Sequence, residues 1–239
     1  MHFLMDSEFA HVVDPHSNIT FVDVLDLRRD IADRTQLFPQ LKSVHRRHFP
    51  DYEYVVDQWA SILDESVSSE HIIKHAWLAF VGNEPCGQFI IDVNLTRESI
   101  LIHFVAMDKE VRRTLPRYWL RDLMEAIVEY CQVEAQQHSV QLEAAMAESY
   151  PEYLWKWAEL GYTDPPVGYQ EPVHGAQWRD HGEPEFFPLT ACVRMLDSGS
   201  GRADSEKITS VVRAFLLDAY DLPEENPVVS KILDRCSSL

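Results

Sequence analysis

The sequence predicts an α/β fold in which a mixed sheet carries helices on its faces. Two kinds of periodicity lead to this prediction. Apolar and β-branched runs of strand length recur along the chain, and amphipathic stretches with a repeat near 3.6 residues separate them. The chain has 239 residues, of which 46% are hydrophobic and 25% are charged. That length and composition suit one large globular domain with a sizeable core.

The first half of the chain alternates between strands and helices and then enters a run of strands. A strand is predicted over 19–25 and a helix over 28–47. A second amphipathic helix is predicted over 52–63, where apolar residues recur at helical spacing. Three strands follow in succession, over 76–81, 86–93 and 99–107. The last of them is almost wholly apolar, which is typical of a central strand covered on both faces.

The second half begins with the most strongly amphipathic helix, over 117–137, whose apolar side chains fall on one stripe. A shorter helix is predicted over 151–160, with Gly161 at its end. Three further strands are predicted over 140–146, 169–173 and 187–195.

The predicted domain organisation has four segments. These are an N-terminal extension (1–18), the main domain (19–197), a linker (198–206) and a C-terminal helical appendage (207–239). The linker is predicted from its small and polar composition, DSGSGRAD. Asn226 and Pro227 resemble a cap and a first-turn residue that open the last helix. The appendage could pack on the domain or join two copies in a homodimer.

Charge and composition exclude several classes of function. A net charge of −18 repels phosphate backbones and argues against nucleic-acid binding. No apolar run approaches the roughly 20 residues of a membrane span, and residues 1–15 lack the basic residues of a signal peptide. We therefore expect a cytoplasmic, acidic protein that does not bind membranes. Reduced thiols are expected at the four widely spaced cysteines, which are Cys86, Cys131, Cys192 and Cys236.

Three local sequences carry a family resemblance. They are VGNEPCGQFII over 81–91, FVAMDKEVRRTLPRYWLRDLMEAI over 104–127 and YLWKWAELGYTD over 153–164. Together with the order of elements, they resemble the GNAT superfamily of N-acetyltransferases, and the resemblance covers 19–195. It implies a mixed, mostly antiparallel sheet with helices on both faces. It also implies acyl transfer from acetyl-CoA or another acyl-CoA to a small amine or a peptide.

The loop that should bind the cofactor phosphates departs from the family. GNAT proteins follow the pattern R-x-x-G-x-G/A, whose amides bind the pyrophosphate at a helix N-terminus. Started at Arg112, that pattern puts Leu115 and Arg117 at the glycine positions. Arg112, Arg113 and Arg117 could bind phosphate directly instead, or the loop could be a solvated helix start that no longer binds the cofactor. The resemblance further implies that the pantetheine arm binds the backbone of Val105, Ala106 and Met107.

Candidates for proton transfer are few. His103 is the ionisable residue inside the strand predicted over 99–107, and histidine suits a general base near neutral pH. A structural histidine is the alternative. Glu98 is a second candidate base or an ordinary turn residue. The position of the family's tyrosine acid is Trp157, whose indole cannot supply a proton, so Tyr153 one turn earlier is the substitute candidate or a half-buried aromatic residue.

The acceptor side is predicted to include Tyr169 and Glu171, which alternate onto one face of a strand. They could hold a basic acceptor, or they could form the polar edge of an exposed strand. No metal site is predicted, because the histidine pairs at 45/48 and 174/181 lack a third ligand nearby in the sequence. The leading interpretation is a GNAT-like acyltransferase. The alternative is a catalytically inactive protein of the same fold that binds a ligand or a partner.

Overall fold

A computed structural model of the protein describes residues 19–25, 31–56, 59, 71–196, 199 and 201–239. The strands in these residues are β1 (Ile19–Asp23), β2 (Ile72–Val81), β3 (Glu84–Asn94), β4 (Ser99–Met107), β5 (Ala144–Ser149), β6 (Gln170–Pro172), β7 (Phe186–Pro188) and β8 (Thr190–Met195). The α-helices are α1 (Ile31–His48), α2 (Lys109–Arg112), α3 (Trp119–Gln137), α4 (Leu154–Glu159), α5 (Asp204–Arg213) and α6 (Pro227–Cys236).

Six strands form one sheet in the order β1-β2-β3-β4-β5-β8, and β6 pairs with β7 in a separate two-stranded sheet. The β1–β2 and β5–β8 pairs are antiparallel, whereas β4 and β5 are parallel and are connected through α3. The predicted mixed, mostly antiparallel sheet is confirmed. The β4–β5 ladder ends at the Ile102–Ala147 pair, although β4 itself continues to Met107.

The chain divides into two compact units that interleave along the sequence. The first contains the described residues up to Asp92 together with His103–Cys131. The second contains Val93–Ile102 and Gln132–Leu239.

The core of the first unit forms where α1 packs on β1 and β2. Leu37, Leu41 and Val44 follow one another at helical spacing, so they fall on one side of α1, and all three are buried. They share a cluster with alternate residues of β2, namely Ala76, Leu78 and Phe80. Burial of each large aliphatic side chain contributes about 1.5–3 kcal/mol, so this one helix face supplies a substantial part of the driving force.

The core of the second unit is built from the sheet and from the C-terminal helices together. Val211 and Phe215 are completely buried, and they share a cluster with Met146 of β5 and Val193 of β8. α6 adds Val229, Ile232, Leu233 and Cys236 to the same cluster. The segment predicted as a separate appendage is therefore an integral part of this core. Its first helix begins at Asp204, inside the predicted linker.

Two features of the C-terminal segment fix its geometry. Asn226 Oδ1 accepts hydrogen bonds from the backbone N–H groups of Val228 and Val229, which confirms the predicted cap of α6. Between α5 and α6 the chain forms a π-helical turn over Ala214–Ala219, where Tyr220 N donates to Phe215 O over 2.9 Å.

The strand predicted over 140–146 is wrong in position, because β5 spans Ala144–Ser149. The side chain of Gln132 explains the difference. Its Nε2 donates to Leu142 O over 2.9 Å, and Leu142 N donates to its Oε1 over 3.2 Å. A side chain of α3 thus satisfies backbone groups that would otherwise join the β5 ladder, and pairing starts two residues later.

Other differences are smaller. The helix predicted over 151–160 is a 3-10 turn (Pro151–Tyr153) followed by α4, and Gly161, at a φ of +82°, ends it as predicted. The strand predicted over 187–195 is two strands, because β7 pairs with β6 and β8 pairs with β5. Half of the helix predicted over 52–63 lies outside the described residues, and so does the whole extension over 1–18.

All four cysteines are free thiols and buried. None of the helices in the described part of the chain has the length and apolar character that a membrane crossing requires.

Candidate functional site

In the first unit, the second half of β4 carries the residues predicted to hold the pantetheine arm. Val105 and Ala106 are half-buried, and Met107 is buried. β3 approaches this stretch so closely that a Cβ at Gly87 would lie 2.6 Å from Ala106 O, which is why glycine is needed there. Asp108 N donates to the backbone O of β3 at position 86 over 2.6 Å. The backbone at the end of β4 is therefore held from one side.

His103, the predicted base, lies in a buried charged group. Its Nε2 is 3.3 Å from Asp92 Oδ2, and Lys74 Nζ is 2.7 Å from the same oxygen. Burial alone would raise the pKa of the Asp92 carboxyl, but Lys74 and His103 outweigh burial and hold that pKa well below its usual range. Asp92 is therefore a carboxylate, and it lies beside the His103 ring.

The predicted phosphate loop is partly helical. α2 follows β4 after a single residue, and α3 begins at Trp119. Arg113 Nη1 lies 2.8 and 3.1 Å from the two carboxylate oxygens of Glu110, so its charge is already paired. Arg117 is exposed, and its guanidinium lies 5.3 Å from the centre of the Tyr118 ring. Arg112 is also exposed and makes no ion pair with any described residue.

The loop is locally basic in a strongly acidic chain. Between positions 108 and 122 there are five Lys or Arg residues and three Asp or Glu residues, which leaves a local charge of +2 against −18 for the whole protein. Because the loop is positive and the protein as a whole is negative, an anion is attracted to the loop.

In the second unit, Glu98 occupies a turn. Its backbone has a φ of +54°, in the left-handed region, and its Oε2 accepts a hydrogen bond from Arg202 Nη1 over 2.7 Å. Arg202 also lies 2.5 Å from Glu143 Oε2. The Glu98 carboxylate is thus engaged in an ion pair that joins the turn to the C-terminal segment.

Tyr153 and Trp157 have different environments. The Tyr153 ring is 46% exposed, and Lys156 Nζ lies 4.5 Å from its centre. Trp157 is half-buried and packs edge-to-face against Tyr162, with ring centres 5.1 Å apart. The tyrosine that the sequence offers as a proton donor is therefore at the surface, whereas the indole is part of the packing around α4.

Tyr169 and Glu171 are buried, so they do not form the polar edge of an exposed strand. Both belong to a cluster with Glu148 at the end of β5 and with Tyr220 from the C-terminal segment. Tyr169 Oη donates to Glu148 Oε1 over 2.5 Å. Tyr220 Oη donates to Glu148 Oε2 and lies 3.2 Å from Glu171 Oε1. Burial, and then the neighbouring carboxylates, raise the pKa of both phenols well above the usual value, so both stay protonated.

Lys74, Asp92, Glu148 and Tyr220 belong to these clusters and are absent from the sequence-based candidates. Asp92 and Glu148 each follow an apolar strand pattern and interrupt it with a carboxylate, which is the signal that could have identified them. Tyr220 carries no such signal, because the π-helical turn shifts it out of the α-helical stripe that contains Phe215.

The histidine pairs do not form metal centres in the described residues, where no group of three or more His, Cys, Asp or Glu side chains could hold a metal ion. His45 is buried among aromatic rings, its Nε2 lies 3.0 Å from Tyr52 O, and burial lowers its pKa to about 4. His174 and His181 stack with ring centres 3.8 Å apart.

No protein family matches the sequence, and no curated protein matches it either. Solved structures with a similar backbone include Tetrahymena GCN5, with a TM-score of 0.48 and 11% identity over 74% of this chain and 96% of that chain. Ard1 from Thermoplasma volcanium has a TM-score of 0.45 and 12% identity over 75% and 98%. A spermidine N-acetyltransferase SpeG chimera from Vibrio cholerae and hSSAT has a TM-score of 0.48 and 10% identity over 78% and 100%.

At these identities, no residue role passes from those proteins to this one. The strand order and the parallel β4–β5 pair form the mixed, mostly antiparallel sheet that the sequence predicts.

Proposed function

We propose that the protein is an acyltransferase that moves an acyl group from a coenzyme A thioester to an amine. One observation carries the proposal. The β4–β5 ladder ends at the Ile102–Ala147 pair while β4 continues for five residues, so Val105–Met107 has backbone groups that this ladder does not use. An extended chain with amide groups, such as a pantetheine arm, could pair with them as an added strand would.

The basic loop supports the phosphate end of the same ligand. Because Arg113 is neutralised by Glu110, we assign phosphate binding to Arg112 and Arg117, whose guanidinium groups are exposed. This assignment is narrower than the three-arginine site that the sequence suggests. The residues present fit an anionic ligand held by side chains, in place of the glycine-rich backbone cradle of the family.

His103 is the proposed general base. The Nε2 of His103 lies 3.3 Å from Asp92 Oδ2, and we assign removal of the amine proton to this imidazole. The amine nitrogen attacks the thioester carbonyl carbon, the C–N bond forms, the C–S bond breaks, and the proton of the amine passes to the imidazole. The departing thiolate takes a proton from solvent.

Isothermal titration with acetyl-CoA tests the proposal. We expect saturable binding, an affinity about tenfold weaker in the Arg112→Gln/Arg117→Gln double variant, and a change below about twofold in Arg113→Gln, the matched control. If the double variant and the control lose the same amount of acetyl-CoA affinity, the assignment of phosphate binding to Arg112 and Arg117 is wrong.

Turnover is tested separately with a panel of small amines and short peptides. His103→Gln should keep acetyl-CoA affinity and lose acyl transfer. If neither acetyl-CoA nor longer acyl thioesters bind the wild-type protein, acyl transfer is wrong, and the alternative of a non-catalytic binding protein takes its place.

A further inference from the structure

A small cavity lies beside α4 in the second unit, apart from the residues assigned to acyl transfer. Its volume is about 150 Å³. The lining includes the residues Trp155, Trp157 and Tyr162, together with Asp164 and Cys192. The cavity is too small for a nucleotide and suits one compact chemical group.

Three of the eight lining residues are aromatic. Trp155 is 59% exposed, which is unusual for so large an apolar side chain, whereas Tyr162 is buried and packs edge-to-face against Trp157. The faces of indole and phenol rings carry negative partial charge and attract cations within about 6 Å. The Trp155 ring already has one such cation nearby, since the ammonium of Lys156 lies 5.6 Å from its centre.

Among the lining residues, Asp164 alone carries a full charge, and it is negative and exposed. Burial, and then the charge of Asp164, raise the pKa of the Cys192 thiol to about 12, so the thiol is neutral at physiological pH. Lys156 does not line the cavity, although its ammonium lies near Trp155. An anion would meet the Asp164 carboxylate here, whereas a cation would pair with it.

A metal ion does not fit this lining. Hard cations require several oxygen ligands, and transition metals require several nitrogen or sulfur ligands. Asp164 offers one carboxylate, and the described residues contain no cluster of three or more metal-ligating side chains. A cation that is itself apolar on its surface satisfies the rings and the carboxylate together.

We propose that the cavity formed by Trp155, Trp157, Tyr162 and Asp164 binds a quaternary ammonium group. The methyl groups contact the ring faces, and the positive charge is shared between the rings and the Asp164 carboxylate. This site does not depend on acyl transfer, because none of its residues is assigned to the donor or to the proton-transfer steps.

Choline and its neutral carbon analogue 3,3-dimethylbutan-1-ol have almost the same shape and are the two probes of the test. Binding is followed by NMR through the indole N–H signals of Trp155 and Trp157, with the full-length protein. We expect choline to saturate both signals with a dissociation constant of roughly 1–10 mM, and the neutral alcohol to bind at least about fivefold more weakly.

Two variants sharpen the test. Asp164→Asn should weaken choline binding roughly fivefold and leave the alcohol unchanged, because it removes only the charge. Glu159→Gln removes an exposed carboxylate of α4 that does not line the cavity, and it should change neither affinity.

If the wild-type protein binds choline and the alcohol with equal affinity, the proposal is wrong. This comparison does not require any variant to fold. Absence of saturation with choline up to about 100 mM would also overturn it. If Glu159→Gln weakens choline binding as much as Asp164→Asn does, the acidic surface attracts choline in general, and the proposal of a specific site is wrong.

Discussion

The two units bury polar groups in opposite ways. In the first, Lys74 Nζ and His103 Nε2 lie 2.7 and 3.3 Å from Asp92 Oδ2, so an ammonium and an imidazole offset the burial of the carboxylate. In the second, Tyr169 and Tyr220 donate their hydroxyl hydrogens to Glu148, so neutral phenols satisfy a carboxylate. The pKa of the Asp92 carboxyl falls, and the pKa of each phenol rises. Similar burial therefore yields one cluster that is sensitive to acid and one that is sensitive to alkali.

The largest expected effect comes from removing the charge of Asp92. Asp92→Asn should lower the free energy of unfolding by about 2–3 kcal/mol near neutral pH, because Lys74 and His103 lose the carboxylate they share. Urea denaturation measures the loss. Glu84→Gln, at the exposed first residue of β3 in the same unit, is the control and should change little.

The pH dependence of that loss follows from the sign of the shift. Because the pKa of Asp92 is lower in the folded than in the unfolded protein, its stabilisation is present above the unfolded value of about 3.9 and disappears as pH falls below it. The difference between wild type and Asp92→Asn should therefore shrink at low pH. A difference that stays constant down to about pH 2 would contradict the charged arrangement.

An intermediate effect is expected for Tyr220→Phe in the second unit. Loss of the hydroxyl removes a donor to Glu148 and should lower the free energy of unfolding by about 1–2 kcal/mol. Tyr118→Phe, at a 52% exposed ring, is the matched control and should be almost neutral.

Alkaline titration separates this cluster from the first. The phenol pKa is raised in the folded protein, so the stabilisation is complete below the unfolded value of about 10 and is lost as pH rises above it. Wild type should lose stability above about pH 10 more steeply than Tyr220→Phe. Parallel curves for the two proteins would show that Tyr220 ionises as easily folded as unfolded.

The smallest effect is expected for Lys74→Met. The Lys74 side chain is 36% exposed, so solvent screens its attraction to Asp92, and we expect a loss of about 1 kcal/mol or less. Added salt should reduce the loss further. A loss as large as that of Asp92→Asn would mean that Lys74, and not His103, supplies most of the compensation.

The sequence predicts the parts of the fold that depend on local pattern. β4 spans 99–107 as expected, and the cap at Asn226 is present, because an apolar strand and an Asn-Pro pair each carry their signal within a few residues. β5 was displaced because its limit depends on Gln132, a residue ten positions before Leu142 whose amide group leaves no mark on strand propensity. Local pattern cannot anticipate such a side-chain contact.

The candidate site also contains some features that local sequence predicts and others that it does not. His103 lies on β4, whereas Arg112 ends the short helix α2, and Arg117 precedes α3, which begins at Trp119 and not at 117 as predicted. Asp92, next to His103, comes from β3, whereas Glu110, the partner of Arg113, lies three residues away in the same segment. In the second unit, Tyr169 donates directly to Glu148, and Tyr220 of the C-terminal segment lies between Glu148 and Glu171. Spacing along the chain does not show this contact.

The π-helical turn over Ala214–Ala219 makes the length of this segment critical. An α-helix advances about 100° with each residue, so the additional residue of the wider turn sets the direction in which Tyr220 points. A deletion of one residue here would keep the composition almost unchanged and would turn the phenol away from Glu148. Homologous chains should therefore tolerate exchange of one apolar residue for another in this stretch far better than any gain or loss of a residue.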